Sequence, residues 1–205
     1  KDAFLVPKKS NMPTLNPSEL PALMKNLYQA SMKFETRCLI EFQLHTMTRP
    51  SEASGARWSE VDLDAKLWTI PAERMKKKRR HRIPLTPQMV DLLDVMASRT
   101  GHRQHIFPGH IEPTSSMNSQ TANMALRRMG YEGKLVAHGL RSLASTILNE
   151  AQFPSDAIEV ALAHVDKNKT RQDYNKAEYL DLRREMMCWW SDYIQRATLI
   201  TCSAD

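Results

Sequence analysis

The sequence is poor in cysteine and has no long apolar run, and these two shortages narrow the class of protein. Its 205 residues include three cysteines, Cys38, Cys188 and Cys202, without a CxxC spacing. An odd number of scattered thiols argues against a disulfide framework and a structural zinc site, and it fits a reducing cytoplasm. No apolar stretch reaches the roughly 18 residues that a membrane helix needs. The chain opens on Lys1 without a signal-peptide pattern, and we therefore expect a piece of a longer protein.

An even spread of charge is also missing, because the whole net charge of +6 lies in one segment. Between Glu73 and Arg82 there are seven basic side chains and one acidic one, whereas the acids and bases of the remaining chain cancel. A dense basic run of this kind indicates either a solvated tail or a contact with a polyanion. The seven basic residues are Arg74, Lys76, Lys77, Lys78, Arg79, Arg80 and Arg82.

Hydrophobic periodicity predicts that most of the chain is helical. With 41% hydrophobic and 25% charged residues, the composition is that of a globular domain. The first apolar stripe at helical spacing consists of Leu20, Leu23, Met24 and Leu27. Further helices are predicted over 117–129, 138–150, 155–163 and 177–196. The apolar stripe predicted for the last of them is Tyr179, Leu182, Met186, Trp189 and Tyr193.

One part of the chain has strand-like character instead. Segments 57–61, 67–70 and 82–85 predict strands, and the Asp-rich segment 62–65 predicts the first turn. The fold class is therefore mainly α with a small three-stranded antiparallel sheet. The basic run lies on the connection between the second and third strands.

Two helix boundaries carry residues suited to anion binding. Arg49 lies at a helix break, three residues before Glu52, an arrangement that is also common for surface ion pairs. His138 and Arg141 share one face at the start of a helix, where backbone N–H groups and the helix dipole favour negative charge. These two donors predict an anion site. An HxxR pattern is so short, however, that it often arises by chance.

A histidine and a tyrosine near the C-terminal end complete the candidate residues. His164 ends a predicted helix, and Tyr174 follows ten residues later in a polar stretch. Tyr174 is flanked by charged and amide residues, so it is not patterned as a core residue. The alternative is an aromatic side chain that packs on the surface.

Three other patterns are weaker. Asp62 and Asp64 lie between two strands, where aspartate is common in turns, and no further acidic cluster joins them. The three histidines within 102–110 have neither an HExxH motif nor a cysteine partner, which argues against zinc. Ser142 and Ser145 lack a GxSxG elbow and an acid partner, which argues against a hydrolase triad.

The order of these residues resembles the tyrosine recombinase (phage integrase) family, over about residues 16–197. The matching segments are 48–52 (TRPSE), a lysine eight residues before Pro84, 106–108 (IFP), 138–141 (HGLR), 162–164 (LAH) and 174–175 (YN). Segments 73–76 and 186–190 are most similar to integrases of P4-like prophages and pathogenicity islands. Ala163 departs from the family pattern, in which glycine often precedes the histidine.

The resemblance implies a DNA recombinase that needs no metal, cofactor or ATP. The implied catalytic residues are Arg49, Lys76, His138, Arg141, His164 and the nucleophile Tyr174. Glu52 would orient Arg49, and Lys76 would protonate the leaving oxygen. Spacing to Pro84 favours Lys76, while Lys77 and Lys78 stay open as proton donors. The DNA-binding residues are expected to be Lys77, Lys78, Arg79, Arg80, Arg82 and Arg171, with the rest of the basic run also contacting phosphates.

The resemblance also implies a larger assembly. Residues 1–15 are expected to be an interdomain linker and 16–205 the catalytic domain, with arm-binding and core-binding domains upstream. The expected partners are double-stranded DNA attachment sites, a homotetramer on two such sites, an excisionase and a DNA-bending host factor. A cytoplasmic, nucleoid-associated bacterial protein without membrane contact is expected.

Two alternative functions remain open from the sequence. A type IB topoisomerase uses nearly the same residues to relax a single duplex. A non-catalytic DNA-binding module would keep the fold without the chemistry. DNA relaxation compared with attachment-site recombination separates the topoisomerase from a recombinase that integrates or excises a mobile element. A test for a tyrosine-linked DNA adduct decides whether the chain is a non-catalytic module.

Overall fold

The described residues, 12–164 and 179–202 of this computed structural model, form eight α-helices and three strands. The helices are α1 (Leu20–Gln29), α2 (Phe34–Thr46), α3 (Pro50–Ser54), α4 (Pro87–Thr100), α5 (Thr121–Leu126), α6 (Gly139–Glu150), α7 (Ser155–Ala161) and α8 (Leu180–Cys202). The strands are β1 (Val61–Asp62), β2 (Leu67–Ile70) and β3 (His81–Pro84), and they form one antiparallel sheet in that order. The predicted fold class is confirmed.

Helix α2 lies at the centre of the domain and contacts α4, α5, α6 and α8. Its Phe42 ring centroid lies 4.9 Å from that of Trp68 on β2 and 5.4 Å from that of Phe107. The sheet and the helices therefore share one core. The left-handed backbone of Met47, with φ of 54°, ends α2 and turns the chain toward α3.

The sheet is shorter at its start than predicted. The strand predicted at 57–61 is wrong except at its last residue, because Trp58–Glu60 form a 3₁₀ turn. The Trp58 indole donates to the Thr100 carbonyl at 3.0 Å, which ties this segment to the end of α4 instead of to the sheet. Strands β2 and β3 pair with Trp68 opposite Ile83, so the basic run connects them, as predicted.

The helix predicted over 117–129 is shorter and ends in a wider turn. The backbone N–H of Met117 donates to the Phe107 carbonyl at 2.8 Å, so this residue belongs to a loop pairing before α5. After α5 the chain continues as a π-helical turn, Arg127–Tyr131, which contains Gly130 with φ of 88°. Glycine adopts this left-handed conformation without strain.

The buried face of α8 differs from the predicted stripe by about one residue. Its fully buried apolar side chains are Met186, Met187, Trp190 and Ile194, whereas Trp189 and Tyr193 are only partly buried. The Trp190 indole needs an acceptor once it is buried, and it donates to the Leu44 carbonyl at 2.9 Å. This bond satisfies the indole N–H on the face that α8 turns to the core. The described stretches contain no helix with the length and apolarity required to span a bilayer.

Residues just before the first helix pack on the domain. Thr14 Oγ1 donates to the Gly139 carbonyl at 2.8 Å, the Pro13 carbonyl accepts from Val136 N at 3.3 Å, and Leu15 is buried. The boundary predicted at residue 15 remains a prediction.

Candidate active site

Arg49 is held at the start of α3 by a buried carboxylate. Pro50 occupies the first helical position, and Arg49 before it is extended, as a residue before proline prefers. Glu52, on the first turn, accepts from Arg49 Nη1 at 2.9 Å and from Arg49 N at 3.0 Å. The same carboxylate thus caps the helix and orients the guanidinium. Arg49 Nη2 faces the Ala163 carbonyl at 3.4 Å.

Arg141 lies beneath the surface on the first turn of α6, with 3% of the residue exposed. Its Nη1 donates to the Met47 carbonyl and its Nη2 to the Leu162 carbonyl. Burial, followed by the charge of Arg49, lowers the pKa of Arg141 to about 10, so the side chain is still a cation at neutral pH. A buried cation with a second guanidinium nearby is poised to bind an anion.

His164 follows α7 and approaches Arg141 from the opposite side. Its Nε2 lies 3.4 Å from Arg141 Nη2, and its Nδ1 lies 2.8 Å from Glu159 Oε2. This second contact reaches back five residues because Ala163 is left-handed, with φ of 49°. A left-handed position favours glycine. This preference gives a physical reason for the glycine that often precedes the histidine in the family that the sequence resembles. Glu159 was not anticipated, because a contact across five residues is not a regular helical spacing.

His138 occupies the N-cap position of α6, without a capping hydrogen bond from its side chain, and lies among the other candidate residues. Burial lowers its pKa, and electrostatic interactions with Arg141, Arg49, His164 and Lys76 lower it further, in that order. Because an unperturbed histidine titrates near ~6.5, the His138 ring is neutral at pH 7. A neutral imidazole beside several cations can accept a proton.

The basic run projects from the connection between β2 and β3. Met75 is buried and anchors this connection, whereas Lys76 and Lys77 are exposed on it. Lys78 is exposed as well and donates from Nζ to the Glu73 carbonyl at 3.3 Å. The other predicted DNA-binding residues of the run are Arg79 and Arg80, which are exposed, and Arg82, which is partly buried on β3.

Arg74 is the exception within the run. Its Nε lies 2.6 Å from Glu60 Oε1, and only 12% of the side chain is exposed. Arg74 therefore has a carboxylate partner within the protein, and the expectation that it contacts phosphate with the rest of the run stays a prediction. Its charge is compensated by Glu60, a pairing across 14 residues that counting charges along the chain could not reveal.

Two predicted residues lie outside the described residues. These are the nucleophile, Tyr174, and the DNA contact Arg171, so their roles stay predictions. Among residues 12–164 and 179–202, no cluster of three or more His, Cys, Asp or Glu side chains could hold a metal ion. The described groups of the site are two arginines, two histidines, one lysine and the carboxylates of Glu52 and Glu159.

Comparison with known proteins identifies the class of protein to which this fold and site belong. Residues 13–180 match the model of the phage integrase family, and the chain belongs to this family. It is 52% identical over 195 residues to prophage integrase IntA of Escherichia coli (strain K12), covering 95% of this chain and 47% of that protein. It is 37% identical over 208 residues to the integrase of Enterobacteria phage P4, covering 94% of this chain and 47% of that integrase. The chain spans about half the length of these relatives, and the resemblance to P4-like prophage integrases is confirmed.

Solved structures show the same fold at low sequence identity. The integrase of mycobacterium phage Brujita is similar with a TM-score of 0.65 and 18% identity, covering 92% of this chain and 65% of that one. The lambda integrase catalytic core is similar with a TM-score of 0.58 and 19% identity, and the match covers 77% of this chain and 94% of that one. The fold is therefore that of a tyrosine recombinase catalytic domain.

Proposed function

We propose that this chain is the catalytic domain of a site-specific DNA recombinase that cleaves and rejoins strands through a 3′-phosphotyrosyl intermediate. One observation carries the proposal. Arg49, the His138–Arg141 pair and His164 come from three separate segments, and hydrogen bonds or charge interactions link them into one group. Two guanidiniums and two imidazoles in one place suit a phosphodiester that gains negative charge during the reaction.

The two arginines stabilise the transition state. Attack on phosphorus raises the negative charge on the non-bridging oxygens, and a guanidinium offers paired donors to two such oxygens. Glu52 holds Nη1 of Arg49, and two backbone carbonyls hold Arg141. Because these partners fix the donors in advance, no rearrangement is required as charge develops.

Tyr174 is the nucleophile of the proposed reaction. Its hydroxyl oxygen bonds to phosphorus, the bond from phosphorus to the 5′ oxygen breaks, and the phenolic proton passes to His138. The 5′ oxygen takes a proton from the Lys76 ammonium and leaves as a hydroxyl. The phosphodiester energy is kept in the new bond, so religation needs no ATP.

His164 supplies a further contact to the phosphate when Nε2 also carries a proton, because phosphate oxygens only accept hydrogen bonds, and Glu159 positions the ring. The Nδ1–H of His164 donates to Glu159, which directs Nε2 toward Arg141 and the proposed phosphate position. The orientation of one ring nitrogen is thus set by the hydrogen bond of the other. Glu159 has the same relation to His164 that Glu52 has to Arg49.

The full-length protein acts on attachment-site DNA in the bacterial cytoplasm as a homotetramer, integrating or excising a mobile element. One similar solved structure is a lambda integrase tetramer bound to a Holliday junction, which supports this assembly. Lys77, Lys78, Arg79, Arg80, Arg82 and Arg171 would contact phosphates beside the cleaved bond, so binding should weaken steeply with salt. An excisionase and a DNA-bending host factor would complete the system.

A paired assay with the full-length protein tests this function. One arm measures recombination between two plasmids that carry the element's attachment sites, with EDTA present and ATP absent. The other measures relaxation of a supercoiled plasmid that lacks them. A recombinase gives recombinant product in the first arm. Relaxation without recombination supports a topoisomerase. DNA binding without a tyrosine-linked adduct, and with activity in neither arm, supports a non-catalytic module.

A further inference from the structure

Arg74 belongs to the basic run in the sequence, but its side chain is largely buried and paired with a carboxylate. It donates from Nε to Glu60 Oε1 at 2.6 Å and from Nη2 to Glu60 Oε2 at 3.0 Å, a two-pronged ion pair. The side chains are 12% and 6% exposed, respectively. Breaking such a buried pair is costly, because removing either partner leaves the other charge uncompensated.

Glu60 is itself fixed to the sheet. Its Oε2 also accepts from the Trp68 indole at 3.0 Å and from Arg57 N at 3.2 Å. Trp68 lies on β2 and is fully buried against the ring of Phe42. Through Glu60, Arg74 is therefore held to the central core and not to a mobile loop.

The same guanidinium reaches toward Arg49. Nη2 of Arg74 donates to the backbone carbonyl of Glu52 at 3.1 Å, and the Glu52 carboxylate pairs with Arg49 at 2.9 Å. Gly55 leaves the necessary room, since a Cβ there would lie 2.5 Å from Arg74 Nη1. One side chain thus joins the sheet to the helix that carries Arg49.

Lys76 comes two residues after Arg74, at the point where the chain leaves the interior. Met75 between them is buried with 3% exposed, and Lys76 itself is exposed. The returning end of the connection is also anchored, because His81 Nε2 lies 3.2 Å from the Ala161 carbonyl, near His164. The charge of Lys76 acts on His138.

We infer that Arg74 is a positioning residue that, through Glu60 and Glu52, sets the place of Lys76 relative to Arg49. The inference rests on the proposed function, in which Lys76 protonates the departing 5′ oxygen. Arg74 would neither touch DNA nor exchange a proton. Lysine in its place keeps the charge but lacks the planar fork, so it cannot hold Glu60 and the Glu52 carbonyl together.

The test uses a leaving group that needs no proton. In a substrate with sulfur replacing the bridging 5′ oxygen, the departing thiolate is stable without protonation, so a defect in the proton donor disappears. Full-length Arg74→Lys, Lys76→Ala and the matched control Arg99→Lys are compared on oxygen and sulfur substrates. Arg99 also pairs with a glutamate, Glu35 at 2.7 Å, but it lies on α4.

Arg74→Lys should cleave the oxygen substrate roughly 10- to 100-fold more slowly than the unmodified protein. On the sulfur substrate, the cleavage rates of Arg74→Lys and Lys76→Ala should both lie within about threefold of the rate of the unmodified protein. Arg99→Lys should cleave both substrates at the rate of the unmodified protein. Should Arg74→Lys fail to fold, Glu60→Gln replaces it, with the same expected pattern.

Each variant reports on a different step. If Arg74→Lys is slowed equally on both substrates, or not slowed at all, Arg74 does not position Lys76. Rescue of Lys76→Ala by the sulfur substrate still supports Lys76 as the proton donor in that case. A Lys76→Ala defect that sulfur does not relieve overturns both the donor assignment and the role of Arg74.

Discussion

Arg141 Nη2 lies 3.4 Å from Nε2 of His164, although the two residues are 23 positions apart. The first turn of α6 supplies the guanidinium, and the turn after α7 supplies the imidazole. Glu159 holds the far side of the His164 ring at 2.8 Å. In the candidate site, Arg49, Arg141 and His164 are thus each oriented by a hydrogen-bond partner behind them.

Replacing Arg141 by alanine should abolish most of the cleavage. The change removes donors that face the developing charge, so the rate should fall by at least ~10³-fold. The two backbone carbonyls lose their partner, but a buried cation is removed as well, and we expect a loss of less than about 3 kcal/mol in unfolding free energy. Adduct formation and urea unfolding measure the two effects. Cleavage within tenfold of the unmodified protein would remove Arg141 from the site.

Replacing Glu159 by glutamine should separate activity from stability. The pair with His164 is about half exposed, so its loss should change the unfolding free energy by less than ~0.5 kcal/mol. Cleavage should fall roughly 10-fold because the ring is no longer oriented. Nitrogen NMR of His164 should show Nδ1 losing its fixed proton. The control is Glu150→Gln, an exposed glutamate at the end of α6, and equal cleavage by both variants would contradict the role of Glu159.

Replacing Ala163 by glycine should relieve backbone strain. The left-handed conformation at φ of 49° costs an alanine about 1 kcal/mol, and greater freedom of the unfolded glycine offsets part of the gain. We expect a small net increase in unfolding free energy with cleavage retained. The control is Ala157→Gly within α7, where glycine should destabilise the helix. A less stable Ala163→Gly variant would show that this turn is not strained.

Acid should destabilise the domain partly through His45. Burial lowers the pKa of His45 to about 4, whereas the unfolded chain binds that proton near ~6.5. The folded state therefore binds fewer protons, and stability is lost as the pH falls from 6.5 toward 4, by up to about 3 kcal/mol from this group. His45→Gln should flatten this part of the profile of unfolding free energy against pH. An unchanged slope would contradict the effect.

The fold class could be predicted from the sequence because it depends on short patterns of apolar residues, and the same patterns mark where helices begin. Arg49, His138 and Arg141 stand at helix starts, which proline and the apolar stripes reveal. The partners could not be predicted in the same way. Glu159 reaches His164 only through a left-handed turn at Ala163, and Arg74 pairs across the sheet connection with Glu60. Both contacts depend on backbone geometry that no linear spacing encodes.

The buried face of α8 is a second feature that sequence spacing did not predict correctly. Trp189 and Trp190 are adjacent and equally apolar, and the predicted stripe ran through Trp189. The structure buries Trp190 fully, with its indole N–H donating to the Leu44 carbonyl, and Trp189 only partly. Periodicity within one helix does not show which faces of the neighbouring elements it packs against.

The most direct measurement for the central claim is covalent adduct formation on a nicked attachment-site duplex, with full-length protein and its Tyr174→Phe variant. The nick lets the cleaved fragment diffuse away, so a phosphotyrosyl product accumulates. The account predicts an SDS-resistant adduct with the unmodified protein and none with Tyr174→Phe, at DNA binding within about twofold. An undiminished adduct with Tyr174→Phe would contradict the proposed mechanism.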